Sequence, residues 1–123
     1  MYSSLLLTEE EKTEYNTRFS SFGLKSMQDY GSRLRTVIKD DANFLAVLKD
    51  FTEASGKVFT SITLLRKNGV MCSPKVRQIM YQDMASSLAS FGELFSQKKL
   101  AERIQRVADE SLVSTLKQIG LLT

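Results

Sequence analysis

Residues 30–68 read YGSRLRTVIKDDANFLAVLKDFTEASGKVFTSITLLRKN and contain no proline. Within them Tyr30, Leu34, Val37, Asp41, Phe44, Leu48, Phe51, Ser55, Val58, Ile62 and Leu65 follow at alternating intervals of four and three. That alternation keeps one stripe on one face of a helix. All but Asp41 and Ser55 are aliphatic or aromatic. A continuous helix here would be on the order of 55 Å long at 1.5 Å per residue, well beyond the usual length of about 11–12 residues. Such a stripe has to be covered by other helices. Lys39-Asp40-Asp41-Ala42-Asn43 is a candidate stop, with aspartate able to cap a new helix. The stripe keeps its phase across it, so continuity is the expectation.

Working outward, the clearest punctuation is Asn68 to Pro74. Asn68-Gly69 is a helix stop, because both residues tolerate positive φ. Ser73-Pro74 is a helix start, with serine as N-cap and proline at the first helical position. The short link between them predicts antiparallel neighbours. The return helix carries Val76, Met80, Met84, Leu88, Phe91 and Phe95. Residues equidistant from the turn should then meet, Ile62 near Met80 and Phe51 near Phe91. A second stripe, Leu100, Ile104, Val107, Leu112, Leu116 and Ile119, is out of phase with the first, which predicts a kink or break at 96–99. Upstream, Thr8 and Glu11 fit a capping box. The helix they open carries Tyr15, Phe19, Phe22, Met27 and Tyr30, with Gly23 and Gly31 as its weak points. The expectation is an all-α chain, built as an antiparallel long-helix hairpin or a four-helix bundle with coiled-coil-like packing. Its segments are 8–38, 40–68, 74–97 and 99–119, within a single domain.

The chemistry available is narrow. Histidine is absent, which removes the commonest general base and metal ligand. The one cysteine, Cys72, can form neither a zinc site nor an intrachain disulfide. It has no histidine to activate it and reads as a small turn residue in a reducing compartment. The acid pairs Asp40-Asp41 and Asp109-Glu110 point about 100° apart on a helix and read as solvated faces. There is no glycine-rich phosphate loop. These features predict no catalytic residue, no cofactor and no metal, so an enzyme is the least favoured class. No run of about 18 apolar residues occurs. Met1–Leu7 is leucine-rich but lacks a basic flank and is too short for a signal peptide, which points to the cytoplasm.

Charge is the one feature that suggests a partner. The net charge is only +3, but it is unevenly placed. Glu9, Glu10, Glu11 and Glu14 face a lone Lys12 in the first fourteen positions. Residues 54–82 carry Lys57, Arg66, Lys67, Lys75 and Arg77 and no acid. Lys98, Lys99, Arg103 and Arg106 form a second cluster. Such asymmetry favours an anionic partner, whether a lipid surface at about 1 kcal/mol per nearby cation or a phosphate backbone. A solubilising helix end is the plain alternative. Nucleic acid lacks its usual signatures here, and the aromatics occupy core-stripe positions.

Phe44-Leu45-Ala46-Val47-Leu48-Lys49-Asp50-Phe51-Thr52-Glu53-Ala54-Ser55 resembles the first long helix of BAR-superfamily domains. Asp109-Glu110-Ser111-Leu112-Val113-Ser114-Thr115-Leu116-Lys117 is similar to a segment of the second, with Thr115 where many members have proline. The nearest likeness is to the Chibby-interacting BAR proteins, then to the I-BAR group. It spans about residues 30–120. The resemblance implies curved helical homodimers whose basic faces bind anionic membranes. Because the family has three long helices, it also implies that this chain is part of such a domain or a short form of it.

Two readings follow. The first is a non-enzymatic scaffold that self-associates and binds or shapes anionic membrane surfaces. The second is a compact four-helix protein-interaction module, such as an adaptor, chaperone or complex subunit. The return helix can match only residues 45–68, which leaves Tyr30, Leu34, Val37 and Phe44 as an apolar patch of a kind monomers seldom expose. A homodimer through that patch is the expectation, unless residues 100–119 fold back over it.

Overall fold

The computed structural model describes residues 7–123; of the leucine-rich start, Met1–Leu6 lies outside the described residues. Those described form an all-α structure: α1 (Glu9–Ser21), α2 (Leu24–Leu34), α3 (Asp41–Arg66), α4 (Pro74–Phe95), α5 (Lys98–Val107) and α6 (Glu110–Ile119). No strand occurs among them. None of these helices is long and apolar enough to cross a membrane.

Local chemistry explains most of the boundaries. At the start of α1, Glu11 N–H donates to the Thr8 hydroxyl and Thr8 N–H donates back to the Glu11 carboxylate, at 3.2 and 2.9 Å. Ser73 caps α4 by accepting from Val76 N–H at 3.2 Å, with Pro74 in the first turn. At the end of α3 the left-handed residue is Asn68, at φ 56°. Gly69 N–H then reaches Leu64 C=O at 2.8 Å and Asn68 N–H reaches Leu65 C=O at 3.3 Å, which is a Schellman closure. The same closure ends α6. There Gly120 stands at φ +91°, and Leu121 N–H reaches Leu116 C=O at 2.9 Å.

The structure departs from the sequence reading in its continuity. Residues 30–68 are not one helix: α2 stops at Leu34 and α3 begins at Asp41. Asp40 is extended, at φ −80° and ψ 121°, and its side chain accepts from Ala42 N–H at 3.0 Å. A residue that caps a helix this way cannot also continue one. Segment 8–38 is likewise divided, at Gly23 (φ +83°). Segment 99–119 is divided at extended Ala108, after which Asp109 caps α6 through Leu112 N–H at 2.8 Å. Both acid pairs read as solvated faces are therefore helix starts. The expected break after Phe95 is present, at Ser96-Gln97.

The α3 stripe is the spine of the core. Phe44, Leu48, Phe51, Ser55, Val58 and Leu65 are buried and Ile62 is half-buried. Phe51 meets Phe91 edge-on at 5.0 Å between ring centroids and Phe95 at 5.3 Å, as counting outward from the 67–73 link predicts. Helix α2 lies against both α3 and α4. Its Gly31 sits on the Phe91 ring, where a Cβ would come within 2.2 Å of Cε1 and Cζ. Gly31 thus marks a close approach in mid-helix, not a break. On α1, the buried Tyr15 donates its hydroxyl to Asp83 of α4 at 2.5 Å.

Ser55 is fully buried, and its hydroxyl has no hydrogen-bond partner among the described residues. Neighbouring Thr52 and Ser61 instead donate to the carbonyls four residues back. An unsatisfied buried hydroxyl is costly, and alanine is the better helix former. Ser55→Ala is therefore expected to raise stability by about 1 kcal/mol. A lower urea midpoint for the variant would show that the hydroxyl is satisfied.

Candidate functional site

The cations singled out in the sequence do not form one surface. Arg66 and Lys67, at the end of α3, are exposed and make no ion pair among the described residues. Lys75 and Arg77 lie across the 67–73 link in the first turns of α4. Lys57 stands apart, beside Gly23 at the α1–α2 turn, in a hollow it shares with Asp50 and Glu53. Lys98 pairs with Glu102 at 4.0 Å, while Lys99 is exposed.

Arg103 and Arg106 are used inside the chain. Both reach Asp41, the first residue of α3, at 2.9 and 3.3 Å. Arg103 also donates to Lys39 C=O at 3.3 Å and lies over the Phe44 ring at 4.2 Å from its centroid. The two arginines of the second basic cluster therefore work as a clamp, fastening α5 over the start of α3. It also roofs Phe44, which is 2% exposed. Of the other positions in the expected self-association patch, Leu34 is buried and Tyr30 half-buried. Only Val37, in the α2–α3 link, is 87% exposed. Three of the four residues expected to form one exposed apolar patch are thus buried or half-buried within this chain.

The 67–73 link is held from three sides. Arg18 donates to Met71 C=O at 2.6 Å. Glu14 accepts from Ser73 N–H at 2.9 Å, and Glu11 lies 3.6 Å from Lys75. From α4, Arg77 donates to the carbonyls of Val70 and Cys72 at 3.4 and 3.3 Å. The acidic start of the chain thus neutralises part of the basic segment. Burial pushes the half-buried Cys72 thiol up, away from the thiolate that a nucleophile needs.

Glu11 also gives a pH dependence. The Thr8 backbone N–H holds its carboxyl below the ordinary 4.5, against desolvation, with help from Lys75. A lowered carboxyl contributes stability above its ordinary pKa and loses it as pH falls through the lowered value. Glu11→Gln is therefore expected to lower the melting temperature at neutral pH and to flatten its decline below pH 4.5. Parallel acid limbs for the two proteins would contradict this.

Two further concavities are lined by residues of α4. A hollow of about 300 Å³ lies between the end of α3 and the start of α4, lined by Leu65, Arg66, Pro74, Arg77, Gln78 and Tyr81. Gln78 and Tyr81 were not singled out in the sequence. The available signal was spacing, since Pro74, Arg77, Gln78 and Tyr81 fall on one helix face. A groove of about 650 Å³ runs along α4, α5 and the C-terminal residues, with Leu88, Gly92, Phe95, Ala101, Ile119 and Leu122 among its walls. A Cβ at Gly92 would meet nothing within 4 Å, so the groove is open there. No family model matches the chain, and neither a curated protein nor a solved structure shows significant similarity to it.

Proposed function

We propose that the chain is a compact, non-enzymatic helical interaction module, an adaptor or a subunit of a larger assembly, acting as a single copy. In this reading α3 and α4 form an antiparallel hairpin, and α2, α5 and α6 close it into a small bundle. The observation that carries it is the burial of Phe44 under Arg103, with Asp41 tying both arginines down. The apolar stripe then needs no partner chain. What is left for recognition is the outer surface, above all the apolar groove beside α4, of a kind that accepts an amphipathic helix.

The longest helix supports the same preference. At 26 residues, α3 spans about 39 Å, short of the rod that residues 30–68 would make and of the extended geometry implied by a BAR-like scaffold. Sedimentation equilibrium on the intact chain tests the proposal, with scattering to give its length. A compact monomer at high micromolar concentration is expected. An elongated dimer would restore the membrane-scaffold reading.

A further inference from the structure

We propose that the hollow between α3 and α4 is a binding site for a phosphorylated group, with Arg66 and Arg77 as its principal ligands. Charge is placed here against the chain's own electrostatics. The start of a helix carries partial positive charge and favours acids. Helix α4 has no acid in its first turn, has Lys75 and Arg77 near its start, and receives Arg66 and Lys67 from the end of α3. Two glutamates of α1 meet this helix end at the N-cap and Lys75, Glu14 on Ser73 N–H and Glu11 on the Lys75 ammonium. Neither makes an ion pair with Arg66 or Arg77. No acid lines the hollow. The Arg66 and Arg77 charges beside the hollow are therefore not paired by an acid among the described residues.

One of the two arginines is also held in place. Hydrogen bonds to the Val70 and Cys72 carbonyls fix the Arg77 guanidinium. Its Nε is buried and has no partner among the described residues. Gln78 and Tyr81 add an amide and a hydroxyl one turn further along α4. Two guanidiniums, one of them held in place, with an amide and a hydroxyl beside them match the three oxygens and near-double charge of a phosphate monoester better than the two oxygens of a carboxylate. A volume of about 300 Å³ is at the lower end of ligand sites and leaves room for part of the esterified group against Leu65, Pro74 and Tyr81. The phosphate has two sources, a free ester or a lipid headgroup. Met71, in the adjoining link, is 89% exposed, and Leu64 is 43% exposed. They would face the acyl region if the group belongs to a lipid. The site does not depend on the groove beside α4 or on the oligomeric state.

The test has two arms on the full chain. In the first, inorganic phosphate is titrated at constant ionic strength while backbone amide resonances are followed. Saturable shifts confined to residues 66–67 and 74–81 are expected. Arg66→Gln, a change at an exposed residue without structural partners, should weaken binding at least about fivefold, as loss of roughly one charge-assisted contact implies. Lys99→Gln should change nothing. In the second arm, sedimentation with phosphatidylcholine vesicles is compared with and without phosphatidylinositol phosphate. Retention that requires the phosphorylated lipid and falls in both Arg66→Gln and Met71→Ser assigns the site to a headgroup. Saturable phosphate binding without vesicle retention assigns it to a free ester. Shifts that fail to saturate, or that survive Arg66→Gln unchanged, overturn the proposal, as do shifts spread equally over Lys98, Lys99 and Arg33.

Discussion

Phe51→Ala is expected to lower the free energy of unfolding by about 3–5 kcal/mol, the range for deleting a buried phenylalanine. Phe51 has no exposed surface. Its ring meets Phe91 in an edge-to-face contact and tilts against Phe95. All three rings stand where α3 and α4 pack together. Alanine would remove both ring contacts, each worth about 0.5–1.5 kcal/mol beyond the area buried, and would leave a cavity that two helices cannot easily close. Small domains lie only about 5–15 kcal/mol above unfolding, so the variant should be marginal. Urea denaturation followed by circular dichroism measures the loss. A change under about 1 kcal/mol would place Phe51 at the surface and refute the packing described.

Gly31→Ala has the second largest expected effect, and its sign opposes helix propensity. On an exposed helix the change would gain about 1 kcal/mol. Here the new methyl would lie 2.2 Å from two atoms of the Phe91 ring. The ring cannot swing clear, because Phe91 is 5% exposed, with Phe51 on one side and the Arg35 guanidinium 4.8 Å from its centroid. Helix α2 would have to lift from α4. That strains the bonds from Gln28 to Ser87 and from Arg35 to Ser90. Overpacking of this kind costs about 1–3 kcal/mol, and a net loss in that range is expected. Pairing Gly31→Ala with Phe91→Leu should recover part of it, which distinguishes a steric clash from a loss of backbone freedom. A stabilised single variant would show that α2 does not approach α4 so closely.

The arrangement of charge bears on function in the same way. The sequence sets an acidic start against a basic middle, which reads as a surface seeking an anion. In the structure much of that charge is taken up within the chain. Glu11 goes to Lys75, Arg18 to the Met71 carbonyl, and Arg103 and Arg106 to Asp41. Exposed pairs contribute at most about 1 kcal/mol each, so their main consequence is to remove those cations from the pool open to an outside partner. Arg66 and Arg77, which make no ion pair among the described residues, line the hollow that the proposed phosphate group would occupy.

What the sequence determined by itself was local. The helical class, the Thr8–Glu11 box, the Ser73-Pro74 start and the Asn68-Gly69 stop rest on contacts among residues three to five apart, and those are written into adjacent letters. The α3 stripe is equally local, because helical periodicity places Phe44, Leu48, Phe51 and Val58 on one face whatever covers it. Tertiary structure decided the rest. A stripe in phase from Tyr30 to Leu65 fits one long helix and also two helices folded on each other. Asp40 favours the second only when α2 has α3 and Phe91 to pack against. Gly31 reads as a weak point until its neighbour across the core is known. Asp41 and Arg103 are 62 positions apart, and no periodicity links residues so distant. Their pairing exists because α5 returns over the start of α3, and that return sets the Arg103 guanidinium over the buried Phe44 ring.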